Sequence, residues 1–325
     1  MSHNLNFNEA GQASMFYYGD EPWHGFGKKV NRALTAQEAL EEAGLDYEVV
    51  KQPIYLGDNT KIDGKFATCR TDKRGEDSVL GVVGDRYTVI QNADMLNFFD
   101  PIVGRQEAVY HTAGALGKGE RIWLMAKLPE SMRIGNEDII DKYILLTNSH
   151  DGTKSAIVKI CTTRVVCENT LNFSLLDGGK QFNIRHTTNY QDKLDQAYKV
   201  LGIAQDYFKV VEQQIQQMSM VDFNDKQLMD YVNGLLGITE QKEMDEEVST
   251  RMINKRAEIL ELVETGNGAD MTRGTLWGAV NAVTEFVDHH ATVKNGKYID
   301  SVWFGSGNDL KTKAYTTALN LFNNN

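Results

Sequence analysis

In the first half of the chain apolar and polar positions alternate with a period of two, and beyond Tyr190 the period becomes about 3.6. The sequence therefore reads as a strand-rich part followed by a helix-rich part. Its centre is the stretch Tyr143–Tyr190. There, two apolar runs, Tyr143–Asn148 and Ser155–Cys161, flank Ser149-His150-Asp151-Gly152. Asp-Gly between such runs predicts a hairpin. Upstream, strand-like runs occupy Tyr47–Leu56, Lys65–Arg70, Val79–Val83 and Tyr87–Ile90. Glu107–Thr112 and Arg121–Leu128 form another predicted hairpin across the glycine-rich turn Gly114–Gly119. Residues 1–30 look irregular, with Tyr17–Gly27 as an aromatic, glycine-rich loop. Thr35-Ala36-Gln37-Glu38 is a capping box that opens a short helix closed by Gly44, and Asn92 can cap a second, Ala93–Asp100.

After Tyr190, Leu194, Ala197, Leu201, Ala204, Phe208, Val211 and Ile215 draw one apolar stripe along a helix Gln191–Met218. Further helices are expected at Asp225–Leu236, Thr239–Thr265, Thr272–His289 and Asp309–Phe322. All four prolines fall at or before Pro129, so none interrupts these segments. The expected fold class is α+β: an antiparallel, hairpin-rich sheet with packed helices over residues 1–190, then a helical region over 191–325 packing on it.

With 325 residues, 41% of them hydrophobic, the chain can bury a sizeable core. Its formal charge is −11, unevenly spread: residues 201–250 hold 3 Lys/Arg against 10 Asp/Glu, whereas residues 101–200 hold 13 against 11. Bulk charge thus argues against a general nucleic-acid binder but leaves a local basic groove open. Three cysteines make no disulfide framework, no apolar run approaches a membrane span, and the opening MSHNLNFNEAG carries no signal-peptide core. These features lead to the expectation of a reducing, cytoplasmic setting without membrane contact.

The predicted strand Arg121–Leu128 alternates Arg121, Trp123, Met125 and Lys127 on one face with Ile122, Leu124, Ala126 and Leu128 on the other. The second set reads as core. The first reads as a solvent-facing stripe of cations and an indole, suited to single-stranded nucleic acid, whose bases stack on aromatics while Lys or Arg meets phosphate; an ordinary sheet face with Trp123 under a loop is the alternative. After Cys161, Arg164 precedes Glu168-Asn169-Thr170, which reads as a helix start; backbone N–H groups at Asn169 and Thr170 with the Arg164 cation would make an anion site. Arg185-His186 returns a second cation and a titratable ring to the same neighbourhood. Equally, Arg164 could pair with a carboxylate and His186 be a structural histidine. Cys167 beside His186 could act as a nucleophile, although a buried structural thiol is the plainer reading. Glu285 and His289 stand at i, i+4, but no third ligand is identifiable, so no metal is assigned, and no cofactor-binding fingerprint is present.

FYYGDEPWHGFG near the start, VVGDRYTVIQN at 82–92, TTRVVCENTLN and IRHTTNY within 162–190, GTLWGAVNAVTEFVDH and the closing WFGSGNDLKTKAY together resemble the phage/plasmid-like protein family, a domain of unknown function carried by bacteriophages and mobile elements. The hairpins followed by a helix, with VVGDRYTVIQN before them, are also similar to the core of phage single-strand annealing recombinases. That second resemblance implies a strand-binding groove lined by Arg121, Trp123 and Lys127, with Lys154, Lys159, Arg164 and Arg185 nearby, and subunit contacts shaped by the helical half. The expected function is a non-enzymatic module in a bacterial host cytoplasm that binds single-stranded nucleic acid, with a role in annealing or recombination as a homo-oligomer. The alternatives are an enzyme acting on a phosphorylated substrate, with His186 as acid or base, and an interaction protein that targets a host factor through its acidic helical half.

Overall fold

The structure, a computed structural model, describes residues 5–8, 11–19, 25–71, 78–103, 108–135, 137–164, 170–173, 182–244, 247–293 and 298–323. The fold class is α+β. β1 (Met15–Tyr18) and β2 (Lys28–Val30) pair in parallel. The sequence pattern hides β1 because Met15, Phe16 and Tyr17 are all buried, so MFYY shows no alternation. α1 (Ala36–Glu42) starts on Thr35, whose hydroxyl accepts the Glu38 N–H while the Glu38 carboxylate accepts the Thr35 N–H.

β3 (Glu48–Tyr55), β4 (Lys61–Thr71) and β5 (Ser78–Gly84) make a three-stranded antiparallel sheet. Tyr87–Ile90 is irregular rather than a strand. The Thr88 N–H donates to the His186 carbonyl over 3.0 Å, and the Tyr87 ring stacks on the His186 ring, so the segment is held by single contacts instead of a ladder. α2 (Asn92–Val103) follows.

The large sheet contains β6 (Val109–Leu116), β7 (Arg121–Lys127), β8 (Met132–Ile134), β9 (Asp138–Ser149), β10 (Ala156–Arg164), β11 (Thr170–Phe173) and β12 (Phe182–Ile184). Its order is β11-β10-β9-β7-β6-β1-β2, with β8 also on β9 and β12 also on β10. β9 and β10 are the hairpin that Asp151-Gly152 announces; Ile157 faces Thr147 and Arg164 faces Ile140. β6 runs on through Gly114, which was expected in a turn. The Trp123 ring occupies the space a side chain at 114 would need: a Cβ there would lie 2.4 Å from Trp123 Cη2.

The helices are α3 (Tyr190–Ser219), α4 (Asp225–Leu236), α5 (Glu240–Met244), α6 (Thr250–Thr265), α7 (Leu276–Glu285), a π-helical turn Phe286–His290, α8 (Tyr298–Phe304) and α9 (Ser306–Asn323). The expected single helix Thr239–Thr265 is two, because the Ser249 hydroxyl accepts the Met252 N–H and restarts the chain as α6.

Strand register sorts the large sheet into two faces. Ile122, Leu124 and Ala126 of β7 meet Ile144 and Leu146 of β9 and Val158 and Ile160 of β10. All of these belong to one apolar cluster with Phe208 and Ile215 of α3, Trp277 and Val280 of α7 and Tyr315 of α9. The Trp277 indole N–H adds a hydrogen bond to Asp138 Oδ2 over 3.3 Å, tying α7 to the start of β9. The opposite face carries a smaller cluster: Leu5, Met15, Leu116, Trp123, Met125, Tyr143, Leu145 and Cys161, covered by Phe26, Tyr298 and Trp303.

Candidate functional site

On that second face the register lays out successive cross-strand rows. Arg121 faces Ser149; Trp123 faces Thr147, which faces Ile157; Met125 faces Leu145, which faces Lys159; Lys127 faces Tyr143, which faces Cys161. Polar side chains therefore gather at the Arg121 end. The middle row is closed, with Met125, Leu145 and Lys159 exposed by 6%, 1% and 6%.

The stripe expected to face solvent is instead covered. Trp123 is only 2% exposed and meets Trp303 edge to face, ring centres 5.6 Å apart. The α8 helix that supplies Trp303 gives no strong periodic signal, which is why the covering was missed. Lys127 is neutralised: its Nζ lies 2.5 Å from Asp141 Oδ2. Lys159 donates to the Trp303 carbonyl over 3.1 Å, and burial lowers its ammonium pKa to about 8.

A cleft opens at the Arg121 end. It is lined by Arg121, Trp123, Thr147, Ser149, Lys154 and Trp303, among others, and spans about 330 Å³ including its open mouth. Two cations, two indoles and two hydroxyls converge there. Arg121 Nη2 donates to Thr153 Oγ1 over 3.2 Å and lies 3.8 Å from Asp151 Oδ2. Burial pushes the Asp151 carboxyl upward, but hydrogen bonds from Ser149 and Thr153 and the Arg121 charge outweigh it and hold Asp151 below the usual carboxylate range. The Trp123 indole nitrogen is buried and has no hydrogen-bond partner among the described residues.

Of the remaining expected residues whose side chains are described, Arg185 and His186 do not line this cleft. Arg164 is the last residue of β10, and its side chain, like Asn169, lies outside the described residues. Thr170 does not start a helix. It opens β11, paired antiparallel with Thr163, because Thr-Leu-Asn-Phe extends the sheet edge rather than capping a helix. The helix start expected at Thr170 is therefore a strand, while the Arg164 side chain and Asn169 of the expected anion site lie outside the described residues. Arg185 is exposed beyond β12.

His186 is buried, its Nδ1 3.1 Å from the Thr88 carbonyl and its ring 4.5 Å from Tyr87. Burial lowers its pKa to about 4. His150, fully buried in the β9–β10 turn, places Nε2 2.9 Å from Asn92 Oδ1 and is lowered to about 3, first by burial and then by the nearby His186. His186 reads as a neutral packing residue. Cys167 lies outside the described residues, while burial raises the Cys161 thiol to about 12 and keeps it protonated. Glu285 accepts the Asn267 N–H over 3.0 Å, and the π-helical turn removes His289 from the i, i+4 register of an α-helix. Among the described residues no three ligands cluster for a metal ion.

The model of a family described as Domain of unknown function (DUF932) matches residues 79–303, more than half of the chain. The chain belongs to this family. All residues lining the cleft fall inside the DUF932 match, from Leu116 on β6 to Trp303 on α8. No curated protein and no solved structure matches the chain. Among the described residues no helix is long and apolar enough to cross a membrane.

Proposed function

We propose that this DUF932 protein binds single-stranded nucleic acid at the cleft on the second sheet face, rather than along an extended basic trough. The observation that carries the reading is the convergence of Arg121, Lys154, Trp123 and Trp303 with the Ser149 and Thr147 hydroxyls on one opening. Cation, aromatic and hydroxyl together suit a phosphorylated strand. Lys127, held by Asp141, and buried Lys159 do not line the cleft, so the far end of the face lies outside the footprint. Within this proposal the protein acts in the cytoplasm of a bacterial host, as part of a phage or mobile element, in annealing or recombination and as a homo-oligomer.

A second reading, binding of a small phosphorylated molecule, draws on the same cations and hydroxyls at the cleft.

The test is the affinity for a fluorescent single-stranded oligonucleotide at two salt concentrations, with duplex DNA, RNA and nucleoside monophosphates as competitors. Binding that weakens with salt, with Arg121→Ala and Lys154→Ala each lowering the slope by about 1 and Lys127→Ala changing little, supports the proposal. Competition by monophosphates without strand binding supports the second reading, and binding of neither overturns both.

A further inference from the structure

The connection between β9 and β10 carries much of the cleft's polar wall. Ser149 and Lys154 line the opening, and Arg121 is held from the same stretch by the Thr153 hydroxyl and the Asp151 carboxylate. Where this stretch sits therefore decides where three of the polar lining residues point.

Its seat is the small sheet. A Cβ at Gly81 of β5 would lie 2.5 Å from Asp151 Cα, 2.7 Å from the Asp151 carbonyl oxygen and 2.9 Å from its carbonyl carbon. All three are backbone atoms, which cannot swing aside as the end of a side chain can. One residue on, a Cβ at Gly152 would lie 2.9 Å from Val83 Cγ1, and Gly152 holds φ +76°. Just beyond β5, the Tyr87 hydroxyl donates to the Ser149 carbonyl over 3.0 Å. The connection is thus touched by the small sheet and the segment after it at three successive places.

The strand itself is shaped for this contact. Thr68 pairs with Gly81 and Cys69 with Val79, so Leu80 is an extra residue and the β4–β5 register shifts beside the seat. Glycine inside a strand weakens it and marks a close approach of another backbone. Here the approaching backbone belongs to the wall of the cleft.

Resting on the strand-binding reading above, we infer that the small sheet positions the cleft: Gly81, with Tyr87, is a positioning residue that seats the β9–β10 connection so that Ser149, Lys154 and Arg121 converge on the bound strand.

The experiment takes the full-length protein and measures two quantities under conditions where urea titration shows every variant folded: affinity for a fluorescent single-stranded oligonucleotide, and amide hydrogen exchange over residues 149–155. Gly81→Ala drives a methyl group into the Asp151 backbone. It is expected to weaken binding about five-fold or more, because the wall is no longer preorganised, and to speed exchange in the connection. Gly84→Ala is the control in the same strand. The nearest atom to a Cβ there is the Gly64 carbonyl oxygen at 4.0 Å, so both quantities should keep the parental values. Tyr87→Phe keeps the ring against His186 but removes the bond to Ser149, and a smaller loss of the same kind is expected. If Gly81→Ala fails to fold, Tyr87→Phe against Gly84→Ala decides. Unchanged or tighter binding, or unchanged exchange, overturns the inference and leaves strand binding standing. Equal losses in the test and control variants assign the effect to the sheet as a whole and also overturn it. Absence of strand binding by the parent overturns the reading on which the inference rests, and the inference with it.

Discussion

The two faces of the large sheet are built by the same strands yet differ in kind. One is aliphatic from β7 through β10 and disappears beneath α3, α7 and α9. The other interleaves Arg121, Lys127, Lys159, Thr147 and Ser149 with its apolar residues and is covered by pieces from the two ends of the chain, Leu5 and Phe26 on one side and Tyr298 and Trp303 on the other. A face required only to pack has no use for buried charge, which costs free energy unless paired. The polar rows are where the proposed binding is placed.

The largest effect that would test this contrast lies at the ionic edge of the second face. Lys311 of α9 is 1% exposed and places Nζ 2.6 Å from Asp288 Oδ1, which the π-helical turn carries inward; it lies within electrostatic reach of Lys159 and Cys161. Lys311→Met strands the Asp288 charge and is expected to cost about 3–5 kcal/mol in urea unfolding. The double variant Lys311→Met with Asp288→Asn is expected to recover part of that. Equal stability of the single variant and the parent would show that this edge tolerates charge as a surface would.

Acid sharpens the comparison next, since two buried histidines, His150 in the β9–β10 turn and His186 just after β12, both titrate low. Both folded pKa values lie below the ordinary histidine value, so the unfolded chain takes up protons first as pH falls. The stabilising contribution is complete above about pH 6.5 and is lost as pH drops toward 4 and then 3. At pH 5 each histidine is expected to have cost about 2 kcal/mol relative to pH 8, from folded values of about 3 and 4. Urea midpoints at the two pH values measure it. His186→Gln should flatten the dependence, and an unchanged slope in that variant would assign the acid sensitivity elsewhere.

Gly114 tests how tightly the second face is closed. Any Cβ at this position enters the Trp123 ring, at 2.4 Å from Cη2, so Gly114→Ala forces the indole aside. A loss of about 1–3 kcal/mol is expected, with a red shift in tryptophan emission as the ring moves toward the cleft. Gly57, with open space around its Cα, provides the comparison: Gly57→Ala is expected to be near neutral. Loss of equal size at both positions would point to backbone effects rather than to the indole.

These contrasts also mark what the sequence could disclose. The Thr35 capping box, the Asp151-Gly152 hairpin and the bounds of α4 are written in neighbouring residues, and the parity of Ile122, Leu124 and Ala126 named the core face. Whether Trp123 is exposed is a different kind of question. Its answer depends on Trp303, which lies far along the chain on a seven-residue helix too short to show a period. Thr170 misled for a related reason: as a polar β-branched residue it serves a helix start or a strand equally, and its partner Thr163 decides. The cleft was half legible. Arg121, Trp123 and Lys154 could be named from alternation and resemblance, whereas Thr147 and Ser149 required the register that sets them beside Trp123 and Arg121.

The smallest expected effect concerns Lys127, at the opposite end of the same strand from Arg121. Its ammonium contacts the Asp141 carboxylate at 2.5 Å, and Ser131 Oγ donates to the other carboxylate oxygen over 2.5 Å. The lysine side chain is 35% exposed, so solvent screens the pair and its contribution is expected to stay under about 1 kcal/mol. Lys127→Met keeps the aliphatic stem over the sheet and leaves Asp141 with its Ser131 bond. Stability should change by a few tenths of a kcal/mol, and strand affinity should not change at all, because Lys127 is not among the residues that line the cleft. A loss of nucleic-acid affinity in this variant comparable to that of Arg121→Ala would mean that the footprint runs the whole length of β7, and the distinction between the open and closed ends of the second face would fall with it.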